Sequence, residues 1–216
     1  DLLSDEGPFL DLVAKRVLNI PLEYITNSVS FYSQDFFIKE GALIPRPETE
    51  LLIDEVLKEI SLDAKLQFVE VGVGSGIIST LLAQNYKNAS FIASDISPSA
   101  LEIAAINFKE KKVDARIELR LGSLLEPYSE KIDVLVSNPP YIARDAKLES
   151  NLDYEPDLAL FGGEMGDEMV KALIDEVCAR EIPYFFCEFG YDQKVKIASY
   201  MEKYKSYTLS FYNDLA

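Results

Sequence analysis

The sequence has no histidine. That absence excludes Ser-His and Cys-His nucleophilic catalysis, histidine metal sites and histidine proton shuttling at once. Cysteine is nearly absent too: Cys178 and Cys187 lack metal-ligand spacing and sit in apolar stretches, so buried reduced thiols and a cytoplasmic setting are expected. No metal site is expected. No apolar run approaches the roughly 18 residues of a membrane span, and the start carries no signal-peptide pattern. Basic charge is scarce: 21 Lys and Arg stand against 37 Asp and Glu, a net charge of −16. The densest basic group, Lys109, Lys111 and Lys112, is flanked by acids. A nucleic-acid backbone is therefore a poor main partner, because phosphate binding needs clustered cations.

What remains is ordinary for a globular protein of 216 residues, with 48% hydrophobic and 27% charged residues. That length suits one α/β domain with a small appendage. The central stretch is Val134-Leu135-Val136-Ser137-Asn138-Pro139-Pro140-Tyr141. Its apolar run reads as a buried parallel strand, and two prolines then forbid continuation. Asn138 therefore belongs where a strand leaves the sheet, the edge at which open α/β sheets bind ligands. Asn138 offers a carbonyl acceptor, the Pro139 carbonyl a second, and Tyr141 a flat apolar face. Two convergent acceptors suit a planar NH2 group. The blander alternative is a strand followed by a Pro-Pro turn, with Asn138 bonding only local backbone.

Alternating strands and helices surround that stretch. Residues 1–18 read as a helix through Phe9, Leu10, Val13, Val17 and Leu18, ended by Pro21. Residues 24–44 read as a β-hairpin or an extended linker about a Ser33-Gln34-Asp35 turn. Pro47 opens a helix running through Leu51, Leu52, Val56, Leu57 and Ile60. Residues 67–71, 90–94, 116–121, 134–136, 182–187 and 207–212 read as strands. Helices are expected after Gly76, from Pro98 to Lys112 (inward face Leu101, Ala104, Ala105 and Phe108), over 167–180, and over 192–203 with Val195, Ala198 and Met201 inward. Residues 145–159 read as an irregular loop and Phe161-Gly162-Gly163 as a turn. The fold class is α/β: a doubly wound, Rossmann-like, mostly parallel sheet with helices on both faces, preceded by a β-hairpin and a helical N-terminal remnant.

A second site precedes the first. Glu70-Val71-Gly72-Val73-Gly74-Ser75-Gly76 ends the first strand, and glycines there let a ligand approach backbone closely. A dinucleotide site would want Gly-x-Gly-x-x-Gly without a carboxylate beside its phosphates. Glu70 would repel a pyrophosphate and attract a cation. Asp95 ends the second strand, nineteen residues past Gly76, a place suited to ribose hydroxyls; Ser97 already caps the following helix, so Asp95 is free for that task.

Together Glu70–Gly76, Asp95 and Asn138–Tyr141 resemble a class I S-adenosylmethionine-dependent methyltransferase acting on a planar amino group. Leu43-Ile44-Pro45-Arg46-Pro47-Glu48-Thr49-Glu50, Pro21-Leu22-Glu23-Tyr24-Ile25 and Tyr154-Glu155-Pro156-Asp157 up to Gly163 narrow the resemblance to the bacterial peptide-chain-release-factor glutamine methyltransferases. It runs from about Pro21 to the C-terminus. The resemblance implies S-adenosylmethionine as cofactor, a release factor as protein substrate, and methylation of the glutamine amide in a Gly-Gly-Gln loop. It implies cofactor contacts from Glu70, Gly72, Val73, Gly74, Ser75, Gly76, Asp95, Ile96, Ser123, Leu124 and Asn138. It implies substrate contacts from Arg46, Asn138, Pro139, Pro140 and Tyr141, with Asn138, Pro139 and Tyr141 catalytic. It divides the chain into the tail of a helical N-terminal domain (residues 1–22, most of that domain being absent), a hairpin linker (23–44) and the methyltransferase domain (45–216). Family members usually carry an acid where this chain has Ser123, and continue past Asn213 into a final glycine-arginine strand. The competing readings are an adenine or guanine amino-methyltransferase using the same Asn-Pro-Pro-Tyr, in which a flipped base would stack on Tyr141, and a nonenzymatic cofactor-binding domain. Neither a membrane nor direct nucleic-acid binding is expected.

Overall fold

The computed structural model describes residues 6–148 and 152–214. It opens with helix α1 (Glu6–Val17) and the short α2 (Leu22–Thr26). Asn19, at φ 63°, breaks the chain between them before Pro21 is reached. The apolar side chains that signal α1, from Phe9 to Val17, lie on solvent.

Strands β1 (Ser28–Phe31) and β2 (Gln34–Phe37) form an antiparallel hairpin. Its turn is Tyr32-Ser33, not Ser33-Gln34-Asp35: both turn residues take positive φ, at 51° and 59°, as a two-residue turn between twisted strands requires. Asp35 thereby pairs with Ser30 inside the ladder. Helix α3 (Thr49–Glu59) follows, starting two residues later than Pro47 because residues 46–51 first make tight i→i+3 bonds.

Then come β3 (Gln67–Val71), α4 (Ile77–Asn85), β4 (Ser90–Asp95), α5 (Pro98–Glu110), β5 (Ile117–Leu121) and β6 (Val134–Ser137). Beyond Asn-Pro-Pro the chain forms β7 (Ile142–Ala143), α6 (Asp157–Leu160), β8 (Phe161–Gly163), α7 (Glu168–Ala179), β9 (Tyr184–Cys187) and α8 (Lys194–Met201). The main sheet is parallel throughout, in the order β5-β4-β3-β6-β9. Successive strands are added outward on one side up to β5 and on the other side from β6, so a crevice opens at the carboxyl ends of β3 and β6.

Strand alternation divides the core in two. Phe68, Phe91, Ala93, Val134 and Val136 pack with α3, α4, α5 and the hairpin. Val69, Val71, Ile92 and Leu135 pack with Leu173 and Val177 of α7 on the opposite face.

Several expected elements differ. Residues 207–212 form no strand. Side chains hold that segment instead: Phe211 packs edge-on to Phe189 with ring centres 5.8 Å apart, and Tyr207 Oη donates to the Val177 carbonyl. On α8 the buried residue is Ile197, with Met201 packed beside it as expected and Ala198 half-buried, while Val195 is 76% exposed. On α5, Ile103 and Asn107 are buried and Ala105 faces out. The expected loop over 145–159 contains a 3-10 turn at Leu152–Tyr154 and the start of α6; its residues 149–151 lie outside the described residues. Phe161–Gly163 is not a turn but pairs in parallel with Ile142 and Ala143. Gly162 is needed there because a Cβ would meet the Pro140 carbonyl oxygen at 2.4 Å. Cys178 and Cys187 are free thiols, each only partly buried. Among the described residues no helix is long and apolar enough to cross a membrane.

Candidate active site

A single cavity opens at the β3–β6 crevice, and most of the expected residues line it: Glu70, Gly72, Val73, Gly74, Ser75, Asp95, Ile96, Ser123, Leu124, Asn138, Pro139 and Pro140. The hairpin and the segment before α3 add Phe31, Ala42, Leu43, Pro45 and Thr49, and the region around α6 adds Pro156, Leu158 and Ala159.

The glycine turn is built to give space. Gly72, Gly74 and Gly76 all have positive φ, at 75°, 52° and 81°. At Gly74 a Cβ would meet nothing within 4 Å. Gly76 differs: it does not line the cavity, and a Cβ there would strike Phe108 at 2.7 Å and Ala104 at 3.0 Å, so its smallness lets α4 pack on α5. The turn's amides are largely committed. Gly72 and Val73 donate to the Ser94 carbonyl (2.9 and 2.8 Å), Gly74 to Asp95 Oδ2 (2.9 Å) and Gly76 to the Val73 carbonyl (2.8 Å). The turn thus offers room, not a nest of free N–H donors.

Two carboxylates flank that room. Glu70 alternates onto the α4 side of β3 and is 3% exposed. Its Oε2 accepts from the Ser79 amide at 2.9 Å and from the Ser79 hydroxyl. Burial pushes its pKa up to about 8 against the pull of those bonds. Asp95 accepts from Gly74 and, through Oδ1, from the Ser97 amide at 2.9 Å, and burial raises its pKa as well. A carboxylate has about four acceptor sites, so Asp95 keeps capacity for hydroxyl donors in the cavity. Among the described lining residues none is Lys or Arg. With Asp95 as an acceptor and no Lys or Arg among the described lining residues, the cavity favours a ligand that carries hydroxyls over one that carries phosphates.

At the other end Asn138 sits where expected, just past the fully buried β6. Its Nδ2 lies 3.1 Å from Thr49 Oγ1, which lies 2.7 Å from Glu188 Oε2; Tyr141 Oη donates to Glu188 Oε1 at 3.1 Å. Burial raises the Glu188 pKa, partly offset by the Thr49 and Tyr141 bonds. Desolvation also raises the Tyr141 pKa, so its hydroxyl stays a proton donor. Gln193, itself buried, donates to the Tyr141 carbonyl at 2.8 Å. Tyr141 and Arg46 do not line the cavity; they line an adjoining groove with Glu48, Glu188 and Tyr191. Arg46 pairs with Glu155, whose Oε2 also accepts from the Ile44 amide at 2.8 Å. That carboxylate ties the wall before α3 to the wall before α6.

Thr49, Glu155 and Glu188 escaped the sequence reading. Thr49 and Glu155 lie in the two segments that carry the family resemblance, and Glu188 stands at the carboxyl end of a parallel strand, so each had a signal that was not turned into a role. Thr49 read as an ordinary helix start.

Comparisons agree with this layout. Residues 47–153 match the model of the methyltransferase small domain family. A release factor glutamine methyltransferase of Koribacter versatilis is 38% identical over 200 residues, covering 88% of this chain and 70% of that protein. One from Clostridium acetobutylicum is also 38% identical, covering 76% of this chain and 60% of its own length. The chain thus spans roughly two thirds of the length of these relatives. Among solved structures, the hMettl16 catalytic domain in complex with MAT2A 3'UTR hairpin 1 shares the fold at a TM-score of 0.64 and 14% identity, covering 93% of this chain and 84% of that one. The motifs, the cavity and the extent of the first match lead to one assignment: the chain belongs to the release factor glutamine methyltransferase family.

Proposed function

We propose that this chain transfers a methyl group from S-adenosylmethionine to the side-chain amide nitrogen of the glutamine in the Gly-Gly-Gln loop of peptide chain release factors. One observation carries the reading: a glycine turn, a strand-end aspartate and an Asn-Pro-Pro acceptor pair line the same cavity. Translation termination puts the reaction in the cytoplasm. In this reading residues 45–216 are the methyltransferase domain, 23–44 its hairpin and 1–22 the tail of a helical domain.

S-adenosylmethionine supplies a methyl already activated on a sulfonium centre, so no strong base is required. The residues present fit it. Asp95 holds the ribose hydroxyls and provides negative potential for a cation, the open turn at Gly72 to Gly74 admits the methionine end, and Glu70 lines the same wall as a buried acid that bonds Ser79. Ile96, Ser123 and Leu124 edge the adenine. Asn138 Oδ1 and the Pro139 carbonyl accept the two hydrogens of the glutamine NH2, which fixes where its nitrogen points. Those acceptors would also favour the positive charge that grows on the nitrogen as the N–C bond forms and the S–CH3 bond breaks; the leaving group is the neutral thioether S-adenosylhomocysteine, and the nitrogen's extra proton passes to water. Such positioning can supply about 7–11 kcal/mol of a barrier. Tyr141 and Arg46, in the adjoining groove, face the approaching substrate loop.

The test is transfer of labelled methyl from S-adenosylmethionine to a release factor carrying Gly-Gly-Gln, with a Gln→Ala release factor as control. Transfer that persists to the control would sink the site assignment. Calorimetry with S-adenosylmethionine against NAD separates this reading from a dehydrogenase.

A further inference from the structure

The Asn138 side chain could be placed in either of two orientations, because its oxygen and nitrogen have nearly the same shape. The neighbours decide between them. Tyr141 Oη donates to Glu188 Oε1, and the Thr49 and Asn138 side chains also bond this group in the sense that favours its carboxylate form, which can only accept hydrogen bonds. The single hydroxyl hydrogen of Thr49 is therefore given to Glu188 Oε2, at 2.7 Å. Thr49 Oγ1 is left as an acceptor, so the Asn138 atom 3.1 Å away must be the NH2 group. Its Oδ1 is thereby kept out of this chain of bonds and available to the cavity.

We propose that Thr49 and Glu188 are positioning residues for methyl transfer: together they hold the Asn138 amide in the orientation that leaves its oxygen for the incoming NH2. This rests on the methyl-transfer reading given above. Hydrogen bonds in a chain polarise one another. A carboxylate that meets the Asn138 NH2 both directly and through one hydroxyl therefore makes Asn138 Oδ1 a stronger acceptor when the substrate nitrogen becomes positive. The same carboxylate takes Tyr141 Oη on its other oxygen. Both ends of Asn-Pro-Pro-Tyr are thus anchored to a residue fifty positions on.

The experiment compares Thr49→Val, Thr49→Ser and Glu188→Gln in the full chain. Val keeps the shape and loses the hydroxyl; Ser restores it; Gln can donate as well as accept, so it no longer dictates the direction of the chain. Steady-state methylation of a release factor should show kcat down about 10- to 100-fold in Thr49→Val and Glu188→Gln. KM for the release factor should move less than about threefold, and Thr49→Ser should recover kcat to within about threefold of wild type. A 15N spectrum without substrate should show the Asn138 side-chain amide as a slowly exchanging pair of protons. That signature should vanish in Thr49→Val and persist in Thr49→Ser. The proposal is overturned if Thr49→Val keeps kcat within about threefold of wild type, or if Ser is as slow as Val. A wild-type protein that methylates no release factor would end the functional reading instead. The spectrum would still decide the network: an Asn138 amide signal unmoved by Thr49→Val refutes it.

Discussion

The two ends of the cavity are built on different plans. The glycine end is local: Gly72, Val73 and Gly74 bond to Ser94 and Asp95, all backbone or strand-end groups from two adjacent strands. The Asn138 end is assembled from a distance. Asn138, Thr49 and Glu188 come from the end of β6, the start of α3 and the end of β9. The difference teaches that room for a small molecule can be encoded in one contiguous turn, whereas aiming a reacting atom calls on side chains from separate elements.

That contrast can be broken by experiment, the largest effect first. Asn138→Ala should lower kcat by about a hundred- to a thousandfold while leaving S-adenosylmethionine affinity within a few fold of wild type. Calorimetry beside single-turnover methylation checks it, and equal loss of both would erase the division. Next is Glu70, at the glycine end. Its proton is held more tightly in the folded protein than in the unfolded chain, because burial raises its pKa to about 8. Its contribution to stability is therefore full below the ordinary carboxylate range and is lost as pH rises towards 8. The change is on the order of a few kcal/mol. Urea unfolding at pH 5 and pH 8 should show this fall, and Glu70→Gln should flatten it; parallel curves for the two proteins would refute the assignment. Asp95→Ala should weaken S-adenosylmethionine binding by about 10- to 100-fold and act on kcat far less, the mirror image of Asn138→Ala. The last comparison separates two glycines of one turn. Gly76→Ala should cost about 2–3 kcal/mol through collision with Phe108 and Ala104. Gly74→Ala faces open space and should cost about 1 kcal/mol, from its positive φ alone. Equal shifts in thermal midpoint would show that packing at Gly76 is not what distinguishes them.

The same contrast explains what was legible in the sequence. The strand positions, the glycine turn, Asp95 and the exit of β6 at Asn138 all leave contiguous marks: apolar runs, glycine spacing, paired prolines. The bond from Asn138 to Thr49 crosses 89 positions and that from Thr49 to Glu188 crosses 139, and no period or spacing records such a meeting. Smaller misreadings have similar causes. The aromatic residues at 207–212 look like a strand, yet they are held by ring packing and a hydroxyl, with no partner ladder. Val195 fits a helical face, but the face is set by where α8 lands on α7, through Ile197 beside Val170 and Ile174. Phe161-Gly162-Gly163 carries turn residues because another backbone passes close to it, not because it turns.

Asn107 has a further consequence. It is wholly enclosed, and its amide grips both the N–H and the carbonyl of Phe37 while its NH2 also reaches the Ser75 carbonyl, at 2.8 to 2.9 Å. One side chain thus rivets the β2 edge to the floor beneath the glycine turn. Roof and floor of the cavity are mechanically a single piece there, so prising the hairpin away loosens the turn as well.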